Sequence, residues 1–362
     1  MIAGCELPLS ALKKAEPVTR SLCCHLSNDC WNNPMKPIEL IFLSREQVRD
    51  TGLTMRDVIS VVESAFYEHG LGRCENPPKP GIHPQPDAFI HAMPAYLPGR
   101  QAAGVKWVSG FSRNYRYELP SIMGVIVLND VDTGQPLAIM DGSWITEVRT
   151  GAVSAVSAKF LAKKGSETIA LVGTGVQGRA NAMALRAALP NAKLIKAFDT
   201  NATALHRFVR EMSAELSVEV QAASTAQDAI EHADIVVTAT GRLAEPVFMM
   251  SWVKPGALIL PVHSRGWEKT ALELADKFIV DHWQQFRQAH QGNTGYYPKL
   301  PEPYAELGEI VCGKRPGRET DRERIINHNY GMAIHDVALA EAVFARARDH
   351  GTGTPLTLMK SI

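Results

Sequence analysis

Thr168-Ile-Ala-Leu-Val-Gly-Thr-Gly-Val-Gln-Gly-Arg179 is the stretch that decides the fold. The apolar run Ile169 to Val172 leads into Gly173-x-Gly175-x-x-Gly178, and a helix-compatible run from Ala180 to Leu189 follows. A second, mostly apolar run, Leu194 to Phe198, ends in Asp199, about twenty residues past the last glycine. Strand, glycine turn, helix, strand and acid in this order form a dinucleotide-binding unit. The glycines permit a tight turn, backbone approach to a pyrophosphate and close helix–strand packing. The diphosphate would sit at the positive end of the helix starting near Val176, with Gln177 in its first turn. Asp199 would accept from the adenosine ribose hydroxyls, with Thr200 beside it. No Arg or Lys follows until Arg207, so a 2′-phosphate would be repelled without a cationic partner. NAD is favoured over NADP. A plainer role for Asp199, capping the helix that begins near Ala202, is compatible with this.

The chain around this unit has 362 residues, enough for two domains. Lys+Arg and Asp+Glu both number 38, so no net basic field recruits nucleic acid or anionic lipid. No apolar run approaches the ~18 residues of a membrane span. The six cysteines form neither a CxxC pair nor a zinc pattern, no metal is expected, and a reducing, cytoplasmic location fits them best. Residues 1–34, with Cys5, Cys23, Cys24 and Cys30, read as a flexible extension without a continuous signal-peptide core, ahead of Met35.

Ile38–Phe42 reads as a strand and Thr54–His69 as an amphipathic helix. Four strand candidates follow, Ala88–Met93, Ala103–Val108, Ser121–Leu128 and Pro136–Met140, the last two joined by the turn Asp132-Thr-Gly134; they predict an antiparallel sheet. Thr146–Leu161 reads as one long helix. Strands at Thr168–Val172, Leu194–Phe198, Val218–Ala222, Asp234–Thr240, Ala257–Val262 and Lys277–Asp281, with helices between most of them, predict a parallel doubly wound sheet. Asn329–Arg348 reads as a helix returning to the first domain. The expected class is therefore α/β, a Rossmann-type doubly wound parallel sheet inserted in a mixed α+β domain: 35–147 first part, 148–300 nucleotide domain, 301–362 return segment.

Seven collinear pieces resemble the ornithine cyclodeaminase/mu-crystallin family: Ala92-Met-Pro-Ala-Tyr-Leu97, Gly104-Val-Lys-Trp-Val-Ser109, Leu128-Asn-Asp-Val-Asp-Thr-Gly134, Val148-Arg-Thr-Gly151, the glycine motif, Thr238-Ala-Thr240 and Gly331-Met-Ala-Ile-His-Asp336. The resemblance implies a homodimer built on a substrate-binding and dimerisation domain, a site between the two domains, and hydride exchange at the α-carbon of an amino or imino acid. An NAD(P)H-dependent imine reductase or amino acid dehydrogenase is the expected activity. Ornithine cyclodeaminase, or a cofactor-bound ligand-binding protein without catalysis, are the alternatives.

Residue by residue, Lys106 matches the family's active-site lysine. It is a lysine in an otherwise apolar strand, so it faces either solvent or, buried, a substrate carboxylate or imine nitrogen. Arg149 matches the family's Arg-Thr motif, with Thr150, and its fork suits a carboxylate or a cofactor phosphate. His91 and Met93 share one side of a strand that lines the family's pocket. Lys79 stands near the place of a carboxylate-binding arginine. Ser121, Thr238, Ala239, Thr240, Val262 and Asn329 fall where the family touches the cofactor. Just beyond the strand Ala257–Val262 cyclodeaminases place a catalytic aspartate; here the residues are His263-Ser-Arg265-Gly-Trp267-Glu268. His263, with an ordinary pKa near ~6.5, is the expected proton donor in its place, and Arg265 could bind a second acid group.

Overall fold

The structure is a computed structural model that describes residues 36–241, 243–263, 265–290 and 296–360. The 1–34 extension and its cysteines lie outside the described residues.

Alternation of side chains about the strands builds the first sheet. Its order is Thr354–Met359, Ile38–Leu43, Pro136–Asp141, Ile122–Asn129, Ala102–Phe111, Ala88–Leu97 and Gly81–Ile82. Every neighbouring pair is antiparallel except Ile38–Leu43 with Pro136–Asp141, which run parallel. The expected antiparallel sheet is thus a mixed one, because the first strand of the domain returns beside the last of the meander and both ends of the chain close its edge. In register, Met93 lies opposite Lys106 and Lys106 opposite Ile126. These three side chains share the face covered by the helix Ala333–Asp349 and are buried, whereas Trp107 and Val125 on the other face are 49% and 41% exposed. The helix Met55–Gly70 packs against the same long helix. It starts where Thr54 and Asp57 form a capping box.

The second sheet is wholly parallel, in the order Ala305–Glu306, Lys277–Val280, Ile325–His328, Leu258–Pro261, Ile235–Thr238, Thr168–Val172, Leu194–Phe198, Glu219–Ala222. The topological switch falls between Thr168–Val172 and Ile235–Thr238, the place where such sheets open a ligand crevice. The strand Ile325–His328 was not expected. Four residues ending in Asn327 and His328 are too short and too polar to read as a buried strand, yet they sit between Leu258–Pro261 and Lys277–Val280. Residues assigned above to the return segment, 305–306 and 325–328, therefore extend the nucleotide sheet. The crossing to the first domain is made by Asn329-Tyr-Gly-Met332.

The long helix runs Ser143–Leu161, three residues earlier than the pattern suggested, because Asp141 Oδ1 accepts from the amides of Ser143 and Trp144 and starts it there. It lies flat against the helix Val176–Ala188. Gly151 makes this approach possible: a Cβ there would stand 2.4 Å from the Ala180 carbonyl oxygen. Replacing it forces the two helices apart although alanine is the better helix former. Gly151→Ala is expected to lower stability by about 1–3 kcal/mol, read as a reduced midpoint in urea unfolding.

Candidate active site

Each glycine of the turn has a separate geometric reason. Gly173 has φ +99°, and a Cβ on it would lie 2.5 Å from the Ala239 carbonyl oxygen. A Cβ on Gly178 would lie 2.1 Å from the Gly173 carbonyl oxygen. Gly175 is different: nothing stands within 4 Å of its Cβ position, so its glycine keeps open space beside the helix start rather than relieving a clash inside the protein. No side chain caps that helix at Gly175, and Val176 is 58% exposed. Free helix N–H groups facing open space suit a diphosphate. Asp199 is held as an ordered anion: Oδ2 accepts from the Thr174 amide (2.8 Å) and hydroxyl (2.9 Å), and Oδ1 from the Asn201 amide (2.9 Å). Burial opposes its charge, but the Asn201 and Thr174 donors keep its pKa below the ordinary carboxylate value. Asp199 does not cap the following helix; the Asn201 side chain does, accepting from the Ala204 amide.

Beyond the switch point a cleft opens between Arg149, Thr150 and Val153 on the long helix, Pro261 and Val262 at the end of their strand, and Asn329 and Gly331 on the crossing. On its first-domain side stands a buried ion cluster. Lys106 Nζ lies 2.7 Å from Asp336 Oδ1, and Arg149 Nε lies 3.2 Å from the same oxygen. Lys106 and Asp336 are 1% and 0% exposed. Thr146, whose hydroxyl donates to the Gly142 carbonyl, accepts from Lys106 at 3.3 Å. Burial lowers Lys106 to about 8, and Arg149 adds to the fall while Asp336 resists it. Burial pushes Asp336 the other way, but Lys106 and Arg149 hold its carboxyl below the ordinary value. Its Oδ2 has no partner among the described residues.

Lys79 donates to the carbonyls of Tyr330 (2.9 Å) and Gly331 (3.3 Å), with its ammonium 4.1 Å from the centre of the Tyr330 ring. Burial brings it down to about 7, eased by Asp281 and reinforced by Arg149 and Lys106. Asp281, fully buried, accepts from the Gly331 amide at 2.5 Å, and Gln285 donates to the Gly331 carbonyl at 2.9 Å. Gly331 has φ +91°, and a Cβ on it would press on the Arg149 guanidinium at 3.0 Å. The crossing peptide is thus gripped from both domains.

The family model described as the ornithine cyclodeaminase/mu-crystallin family matches residues 39–351. The chain belongs to this family. It is 38% identical to the nodulation efficiency protein NfeD of Rhizobium meliloti over 86% of this chain and 97% of that one. The Thermococcus litoralis Δ1-pyrroline-2-carboxylate reductase, solved with NADH and L-proline, superposes with TM-score 0.78 at 32% identity, covering 87% of this chain and 99% of that one. An archaeal alanine dehydrogenase, solved as a dimer with bound NAD, gives TM-score 0.79 at 30% identity over 89% and 100% of the two chains.

Set against the residues that family resemblance singled out, the structure brings Arg149, Thr150, Val262 and Asn329 into the lining of the cleft, with Lys106 buried behind Arg149 on Asp336 and Lys79 held on the carbonyls of the crossing. Met93 is buried beneath, opposite Lys106. His91 is half-buried and stacked on Phe89, ring centres 4.3 Å apart; burial and the nearby lysine hold it near 4 and neutral. Thr238 is a correction. Its side chain points into the protein and accepts from the Trp267 indole at 3.1 Å, so only its neighbours Ala239 and Thr240 face the turn and the loop. Ser121 is exposed at the head of its strand, where its carbonyl accepts from Phe111.

His263 is a second correction. Its Nδ1 stands 3.1 Å from the Arg265 carbonyl and its Nε2 2.8 Å from the Thr240 hydroxyl. A carbonyl can only accept, so Nδ1 carries a proton, while Nε2 faces a Thr240 hydroxyl whose single proton also reaches the Gly241 carbonyl at 3.1 Å. Burial lowers His263 from 6.5 to about 4. The ring is neutral at pH 7 and its one proton is committed, which makes it a brace rather than the expected proton donor. Arg265 lies with its guanidinium 5.8 Å from the Tyr296 ring centre.

Sequence reasoning does not single out the two buried acids. Asp336 was quoted only as part of a matching stretch, and Asp281 as a strand end. Each is an acid inside an apolar run, the mirror of Lys106, but which charges meet is decided over 230 positions of chain. Asp336→Asn leaves two cations buried without an anion. We expect a loss of about 3–5 kcal/mol of stability in chemical unfolding, exceeding the loss from Lys106→Met, which still leaves Asp336 paired with Arg149.

Proposed function

We propose that the protein is an NAD(H)-dependent imine reductase or amino acid dehydrogenase, exchanging hydride at the α-carbon of an imino or amino acid. The observation that carries this reading is the Lys106–Asp336–Arg149 cluster at the edge of the cleft, next to a glycine turn built for a dinucleotide. The names of the two solved relatives, a reductase with NADH and L-proline and an alanine dehydrogenase with NAD, support it. The open Gly175 side, the uncapped helix start and the ordered Asp199 carboxylate fit the cofactor's diphosphate and ribose. NADP would bring a 2′-phosphate to that carboxylate.

A bound nicotinamide ring supplies or receives the hydride. The protein does the rest. Arg149, which lines the cleft, attracts the substrate carboxylate, with Lys106 and Asp336 buried behind it and Lys79, brought down to about 7 by burial, beside the crossing. Lys106 Nζ gives a proton to the imine nitrogen as the α-carbon gains hydride, and Asp336 holds that ammonium in place. Both acids are already engaged, Asp336 with Lys106 and Arg149 and Asp281 with the Gly331 amide. No aspartate stands just beyond the strand Leu258–Pro261, where the residues are His263-Ser-Arg265-Gly-Trp267-Glu268, which favours reduction over ornithine cyclisation. The exposed apolar face carrying Trp107 and Val125 is the proposed homodimer surface, in keeping with the archaeal dimer. No helix among the described residues is long and apolar enough to cross a membrane. The cytoplasmic location expected from the cysteine content belongs to the same proposal.

Oxidation of NADH with pyruvate plus an amine, or with a cyclic ketimine acid, is the direct assay. Ammonia and proline from ornithine, without net NADH change, is the result against it. Because burial lowers Lys106 to about 8 from 10.5, its acid form is lost as pH rises through about 8, and imine reduction should decline there. Lys106→Met should cut turnover by about 100-fold or more with NADH affinity retained. His263→Asn should leave the position of that limb unchanged; a limb that moves with His263 would return the proton to the imidazole.

A further inference from the structure

Ser157 lies on the long helix, fully buried beneath the cleft. Its hydroxyl donates to the Val153 carbonyl at 2.8 Å. A hydroxyl has one proton and two lone pairs, so Ser157 can only accept from its other neighbours. Two asparagine side chains stand there. Asn327 Nδ2 donates at 2.7 Å and Asn329 Nδ2 at 3.3 Å, and both lone pairs are used. The orientation of both amides follows from this. An amide turned the other way would set its carbonyl against the Ser157 oxygen, two acceptors without a proton between them. The Asn329 carbonyl oxygen, Oδ1, is consequently directed away from Ser157. It is buried and has no partner among the described residues. Asn329 also lines the cleft, with Arg149, Thr150, Val262 and Gly331. The Asn327 oxygen is likewise unpartnered, but Asn327 does not line the cleft.

A buried acceptor left without a donor is costly, and a ligand N–H that reaches it relieves that cost. We propose that Asn329 Oδ1 accepts a hydrogen bond from the carboxamide N–H of the nicotinamide, and that Ser157 is the positioning residue that turns this oxygen toward the cleft. The inference rests on the dinucleotide reading above and adds to it a chemical criterion: the ring substituent must carry an N–H. The same acceptor could serve the nitrogen of a substrate instead, and the choice of probe separates the two. Reduced 3-acetylpyridine adenine dinucleotide keeps the diphosphate, the ribose and a ring carbonyl but has a methyl group where NADH has NH₂.

The test is equilibrium binding of NADH and of this analogue, followed by quenching of tryptophan emission in the absence of substrate. The native protein should prefer NADH by about tenfold, the size of one hydrogen bond to a buried acceptor. Ser157→Ala should reduce the preference to about twofold or less, chiefly by weakening NADH, since one lost bond is the only difference. Ser157→Thr, which keeps the helix back-bond and the lone pairs, should restore it. Should Ser157→Ala fail to fold, Asn329→Ala removes the acceptor directly and should erase the preference. Equal binding of both dinucleotides by the native protein overturns the inference and leaves the dinucleotide reading standing. A preference that persists in Asn329→Ala overturns it as well. Failure to bind either dinucleotide overturns both readings.

Discussion

The structure depends on a charge cluster closed off from water. Lys106 comes from a strand of the first sheet, Arg149 from the helix that joins the domains, and Asp336 from the returning helix. Any one of these charges buried alone would cost several kcal/mol. Placed together they require three elements to meet within hydrogen-bonding distance, and the neighbouring packing is arranged for that. Gly331 has no side chain because the Arg149 guanidinium occupies the space, and Thr146 spends its proton on the helix backbone so that it can accept from Lys106. An ion cluster of this kind is weak evidence for stability and marks a candidate site, because apolar residues of equal size would fill the space at lower cost.

The crossing from Asn329 to Met332 joins that cluster to the dinucleotide turn. It leaves the nucleotide sheet through Ile325–His328 and enters the helix that supplies Asp336. Lys79 reaches it from the first domain, and Asp281 and Gln285 from the second. A shift of one domain against the other must therefore break charged hydrogen bonds at the crossing, or carry both clamps together. The two sides of the cleft are thereby kept in fixed relation. Across the cleft, His263, Thr240, Trp267 and Thr238 brace the loop after the strand Leu258–Pro261 through hydrogen bonds of neutral groups. The first-domain side of the cleft is charged, and the side that shapes the loop is held by uncharged groups.

The glycine turn, the strand and helix around it, Asp199 and the strand–helix alternation to Lys277 were legible because each rests on local rules: periodicity, turn chemistry and spacing within some thirty residues. The face shared by His91 and Met93 followed from the period of two in a strand. Lys106 could be suspected for a local reason too, as a charge inside an apolar run. His263 could be singled out as a residue after a strand at the sheet's carboxyl edge, but not given its role. Its ordinary pKa suggested a proton donor, whereas burial and a carbonyl at Nδ1 make it a neutral brace.

What the sequence alone determined, then, was the doubly wound unit with its glycine turn and Asp199, and the frame of a second sheet split around it. The tertiary structure decided which charges meet. Asp336 stands out locally only as an acid inside an apolar run, and nothing local links it to a lysine 230 residues away. Nor does any local pattern place the four residues Ile325–His328 inside a sheet whose other strands end by Val280, apart from the short edge strand at Ala305. The inward turn of Thr238 and the orientation of the Asn329 amide depend on Trp267 and Ser157, partners brought close only by packing. Burial, which sets the pKa of Lys106, Lys79 and His263, is a property of the whole fold, and for that reason the chemistry of the site could not be settled one residue at a time.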